Sequence, residues 1–212
     1  MPVRAAEDYG GDDWGEQKTK LGGEMEQHTP TYDEALALLK EFNQSDSLLK
    51  HAYAVEGTMR YIARKAGQDE EKWGIVGLVH DLDYERFPDQ HCEKTKEILE
   101  ERGWPAEYVR AVVSHGWGLR RNVVPETDME KTLYAVDELT GLITAVALIR
   151  PSKSVADLET KSVVKKWKDK SFAAGVDRSV IEKGVDLLGV ELRDLITDTI
   201  MGMREVADRI GL

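Results

Sequence analysis

The chain has 212 residues, of which 41% are hydrophobic and 33% charged, with a formal net charge of −11 and one cysteine. That length suffices for a sizeable core. The acidic balance argues against extended nucleic-acid binding through phosphate contacts, and the single cysteine excludes an intrachain disulfide and a cysteine-based zinc ribbon.

In chain order, residues 1–28 carry few apolar side chains and several glycines, which predicts a mobile tail or extension; His28 ends it without patterned neighbours. No apolar leader is visible, and the longest apolar run, Leu139 to Ile149, falls short of the roughly 20 residues needed to cross a bilayer. The expectation is a cytoplasmic protein with no membrane partner.

Residues 29–212 read as a single all-α domain, with a core at about 31–150 and C-terminal helices over 155–210. Helical spacing begins with Ala35, Leu36, Leu38 and Leu39 between Tyr32 and Phe42. Ser45 or Ser47 can cap a second helix bearing Leu48, His51, Val55, Met59 and Ile62, which Gly67 ends. A third opens near Asp69, with Glu70 and Glu71 where the helix dipole favours them, and runs to His80-Asp81.

Pro88 and Pro105 read as first-turn prolines of short helices. The first carries His91, Thr95, Ile98 and Leu99 on one face and stops at Gly103; the second carries Val109, Val112 and Val113 and ends at His115-Gly116. A polar stretch, Gly118 to Thr127, leads to a long helix from near Asp128, terminated by Pro151. Helices are predicted at about 155–171 and 178–210; no run of β-alternation and no internal repeat is visible.

Four of the five histidines fall in the ordered series His51, His80-Asp81, His91, His115, Asp137. Asp81 ends one apolar run and Asp137 lies within another. A carboxylate on an apolar helix face is costly unless paired or bound to a cation. Two such carboxylates, with imidazoles on the same helical scaffold, point to a metal held by N and O ligands.

The series resembles the HD-domain superfamily of metal-dependent phosphohydrolases, with its ordered H…HD…D signature on a helical bundle. The resemblance covers roughly residues 31–150. It implies an HD-type helical bundle in which His51, His80, Asp81 and Asp137 hold a first metal. His91 and His115 then match the two extra histidines of members with a binuclear centre. The segments His80-Asp-Leu-Asp-Tyr-Glu-Arg-Phe-Pro88 and Ser114-His-Gly-Trp-Gly118 resemble a bacterial HD subgroup. The lysine that often follows the HD pair is missing, so its phosphate contact is not carried over. The absent Gly-Tyr-Pro motif sets aside the cyclic-di-GMP phosphodiesterase branch.

The implied activity is hydrolysis of a phosphorylated small molecule, such as a nucleotide, by metal-activated water. The implied cofactor is one or two divalent ions, with Mn, Co, Ni, Zn, Fe and Mg all compatible. The alternatives are a di-iron HD-type oxygenase, or a metal-containing nucleotide-sensing regulatory module.

Asp83 and Glu85, just after the HD pair, are the candidate general acid or base. Lys153, Arg178 and Arg86 are the candidate substrate-binding cations, with Arg120 a weaker one. The cluster Lys165, Lys166, Lys168 and Lys170 reads as a solvated face. Trp117 can wall a pocket or pack in the core. Glu138, about 100° around its helix from Asp137, is expected to face outward or behind the ligands. Cys92 is expected to be a buried small residue with no base placed to activate it.

Overall fold

The computed structural model describes residues 28–212, so the predicted tail, apart from His28, lies outside the described residues. The fold is all-α, and no strand occurs among the described residues. No helix among them is long and apolar enough to cross a membrane.

The helices are α1 (Tyr32–Phe42), α2 (Asp46–Lys65), α3 (Glu70–Val79), α4 (Glu93–Glu101), α5 (Ala106–Ser114), α6 (Asp128–Leu148), α7 (Thr160–Trp167), α8 (Arg178–Leu188), α9 (Leu192–Glu205) and α10 (Ala207–Ile210). Their starts follow cap chemistry. Thr31 with Glu34, and Thr127 with Glu130, form reciprocal capping boxes, while Asp69 accepts from Lys72 N–H and Asp177 from Ser179 N–H. His28, exposed, pairs with Glu34 at 2.9 Å and stands apart from the histidine cluster.

Three predicted elements differ. Pro88 opens a separate 3-10 turn, Pro88–Gln90, and His91 lies outside α4, because Cys92 adopts a left-handed conformation (φ 68°) that breaks the chain between them. The predicted helix over 178–210 is three helices, split first at Gly189 (φ 65°), and the 155–171 segment is helical only over α7.

α2 is the central element, packed against α3, α6 and α9. At its crossing with α9 the backbones meet through Gly57 and Gly202: a Cβ on Gly202 would lie 2.5 Å from Thr58 Cα. The bare backbone is therefore what permits this approach. Leu78 and Val79 of α3 and Leu133, Val136, Leu139 and Ile143 of α6 are buried in the core, and both helices pack on α2.

Candidate metal centre

Five segments deliver the site. α2 supplies His51, the end of α3 supplies His80 and Asp81, and the loop before α4 supplies His91. The end of α5 supplies His115, and α6 supplies Asp137. Apolar packing of these helices thus brings together six side chains that span 87 residues of sequence.

The donor atoms form two groups. His51 Nε2 lies 3.0 Å from Asp137 Oδ1 and 3.2 Å from His80 Nε2. His80 Nε2 is 3.4 Å from Asp137 Oδ1. On the other side, His91 Nε2 lies 3.1 Å from His115 Nε2. Asp81 stands between the groups. Its Oδ2 is 3.6 Å from His51 and 3.4 Å from His80, and its Oδ1 is 3.4 Å from both His91 and His115.

The outer ring nitrogens are already committed. His80 Nδ1 donates to Gly77 O at 2.8 Å, His115 Nδ1 to Val112 O, His91 Nδ1 to Asp83 Oδ1 at 2.7 Å, and His51 Nδ1 weakly to Thr140 Oγ1 at 3.4 Å. A carbonyl or carboxylate can only accept, so at His80, His91 and His115 these bonds put a proton on Nδ1 and turn Nε2 toward the cluster, while the contact of His51 Nε2 with Asp137 Oδ1 calls for a proton on that nitrogen. Between two neutral rings the 3.1 Å contact of His91 with His115 sets acceptor against acceptor. A proton or a cation must lie between them. Outer-shell anchoring of this kind is what orients metal-bound imidazoles, and the donor set of imidazole and carboxylate fits a divalent ion.

Electrostatics agree. Burial opposes charge on His80, but the carboxylates of Asp81 and Asp137 outweigh it and push its pKa up to about 10. Burial is likewise overcome at His91, which its bond to Asp83 raises to about 9. Facing imidazoles hold Asp81 and Asp137 well below the usual carboxylate range against the same burial. The two carboxylates demand compensating positive charge, which imidazole protons or a metal ion can supply.

The cluster floors a cleft of about 290 Å³, whose walls include Tyr84, Leu119, Arg120, Glu138, Gly141 and Val180. Glu138 corrects the sequence expectation. It faces the cleft, its carboxylate accepting from Asp177 N–H at 3.0 Å, and burial together with neighbouring Asp137 raises its pKa. Arg120 is the one arginine or lysine on the cleft wall, exposed, with no ion pair among the described residues.

The other predicted site residues lie elsewhere. Asp83 is fully buried behind His91, where it also accepts from Thr95 N–H at 2.9 Å, so it cannot meet a substrate. Glu85 is exposed and caps the start of α2 by accepting from Gln44 and Ser45 N–H at 2.7 and 2.9 Å. Arg86 donates to Glu41 O and stacks on Phe42. Arg178 ties down the segment after α7, donating to Trp167, Asp169 and Phe172 carbonyls. Lys153 is exposed in the turn after α6, with φ 48°, and does not line the cleft. Trp117 packs on Tyr134, ring centroids 5.5 Å apart, outside the cleft lining.

Cys92 also departs from expectation. It is fully buried, but beside imidazoles: Sγ lies 3.9 Å from His115 Nε2. Burial would raise its thiol, yet His115 and His91 bring it down to about 7.

The HD domain family matches residues 48–141, a stretch that contains all six clustered side chains. Residues 48–141 are therefore an HD domain. HD domains are generally metal-dependent phosphohydrolases, and the two donor groups here, His51 with His80 and Asp137, and His91 with Cys92 and His115, are each compact enough to hold an ion. No solved structure matches the chain.

Proposed function

We propose that this HD-domain protein hydrolyses a small phosphorylated molecule at a binuclear centre. His51, His80, Asp81 and Asp137 hold one divalent ion. His91 and His115, with the second oxygen of Asp81, hold the other. The observation that carries this reading is the position of Asp81, one oxygen toward each imidazole pair.

Bound divalent ions lower the pKa of water from 15.7 to about 7 and polarise a phosphoryl oxygen. The chain's own residues do the rest. Arg120, free of ion pairing among the described residues, binds the phosphoryl oxygens as they enter the cleft. Among the described residues Glu138 is the one carboxyl on the cleft wall besides Asp81 and Asp137, and it holds a proton for the departing alkoxide. Asp83 fixes the tautomer and angle of His91 and touches no substrate. Leu119 and Val180 narrow the cleft and displace water from the reacting phosphate. A cleft of about 290 Å³ fits a phosphomonoester of sugar or nucleoside size.

The test is phosphate release from a panel of small phosphomonoesters by protein loaded with Mn, Co, Ni, Zn, Fe or Mg in turn. Release that a chelator abolishes and metal restores is the expected result. Iron-specific, O₂-dependent product formation without phosphate would replace this reading with the oxygenase one.

A further inference from the structure

We infer that Cys92 supplies a thiolate ligand to the His91–His115 side of the centre, making that side a site for a thiophilic ion. This rests on the reading of His91 and His115 as metal ligands.

The geometry has three parts. First, the donor atoms of His91, Cys92 and His115 all lie within 4.8 Å of one another, and all three residues are buried. Second, the S···N separation suits one ion. Metal–sulfur and metal–nitrogen bonds of about 2.3 and 2.0–2.1 Å, meeting at about 100–130°, place S and N roughly 3.3–3.9 Å apart. Cys92 Sγ is 3.9 Å from His115 Nε2, and the His91–His115 nitrogen pair is 3.1 Å apart.

Third, the surroundings hold the sulfur in place. Cys92 sits in the left-handed region as the residue just before α4, and Gly116 leaves the space beside it: a Cβ there would lie 2.7 Å from Sγ. A cysteine that merely filled the core would sit among apolar side chains, whereas this one lies 3.9 Å from the Nε2 of an imidazole anchored by Val112 O.

The chemistry balances simply. The S–H bond breaks, the sulfur electron pair binds the ion, and the proton leaves to solvent. Thiolate favours Zn, Co or Fe over Mg or Mn, so this side of the centre selects among divalent ions where the all-N,O side does not.

Cobalt(II) is the probe, loaded into the full chain, with a sulfur-to-cobalt charge-transfer band in the near ultraviolet as the readout. Wild type is expected to show the band. Cys92→Ser is expected to lose it, to bind cobalt at least about tenfold more weakly on that side, and to keep cobalt on the His51–His80–Asp137 side. Cobalt bound by wild type without the band overturns the inference and leaves the proposed hydrolase standing. No cobalt bound at all overturns both. Should Cys92→Ser fail to fold, X-ray absorption on the wild type decides: a sulfur neighbour at about 2.3 Å supports the assignment, and a shell of N and O alone refutes it.

Discussion

Asp83→Asn separates a positioning residue from a catalytic one. Asp83 accepts from His91 Nδ1–H at 2.7 Å and from Thr95 N–H at 2.9 Å, while Thr95 Oγ1 accepts from Asp83 N–H at 3.2 Å. An asparagine offers one oxygen and one NH₂, so one of the two buried donors loses its acceptor. An unsatisfied buried group costs about 1–3 kcal/mol, and at about 2–4 °C per kcal/mol for a chain of this size, Tm falls by roughly 2–12 °C. Asp83→Ala strands both donors and costs about 2–6 kcal/mol. Losing the partner of a metal-bound histidine weakens the metal by about 10–100-fold. The assay is thermal unfolding beside elemental analysis after dialysis. The expected result is lower Tm with selective loss of metal from the His91–His115 side, and activity falling in step with occupancy. Full occupancy and unchanged Tm with abolished turnover would refute the reasoning and return Asp83 to the chemistry.

Arg120→Ala removes the one arginine or lysine on the cleft wall among the described residues without touching the core; KM for a phosphorylated substrate is expected to rise by about tenfold to a hundredfold, the worth of a hydrogen bond to a charged group, with Tm unchanged, and an unaltered KM would exclude Arg120 from binding. Glu85→Ala should lower Tm by loosening the start of α2 while metal content and kcat per bound metal stay at wild-type levels; a specific loss of kcat would restore Glu85 as a candidate acid or base. Gly202→Ala forces a methyl to within 2.5 Å of Thr58 Cα, which costs about 1–3 kcal/mol or more of overpacking, measured by urea unfolding; a neutral result would show that α9 can slide on α2.

The residues that cluster were legible in the sequence and the groups around them were not. His51, His80-Asp81, His91, His115 and Asp137 stand out because each interrupts an apolar helical pattern, and a buried polar side chain needs a partner whatever the tertiary detail. Asp83 and Glu85 both follow the HD pair in a short polar stretch. Which of them turns inward depends on where α4 and α2 begin, since Thr95 N–H recruits Asp83 and Gln44 and Ser45 N–H recruit Glu85. Those are contacts between segments 12 and 41 residues apart, which local pattern does not encode. Arg86 and Arg178 looked free on composition, but their guanidinium groups bind backbone carbonyls. Glu138 was set aside by its helical angle from Asp137, yet the cleft extends along α6 to Gly141 and so takes in that face as well. Arg120 carried one usable signal, its place just after the glycines at 116 and 118 beside His115. The break at Cys92 had none, because nothing in the run from His91 to Leu99 marks a left-handed residue.

The central claim is that Asp81 is shared by two metal sites, and the most direct test is metal content per chain in wild type and Asp81→Ala, purified without chelator and measured by elemental mass spectrometry. The account predicts about two divalent ions per chain in wild type and loss from both sides in Asp81→Ala, with the helical circular dichroism retained. Metal retained in full by Asp81→Ala would contradict it.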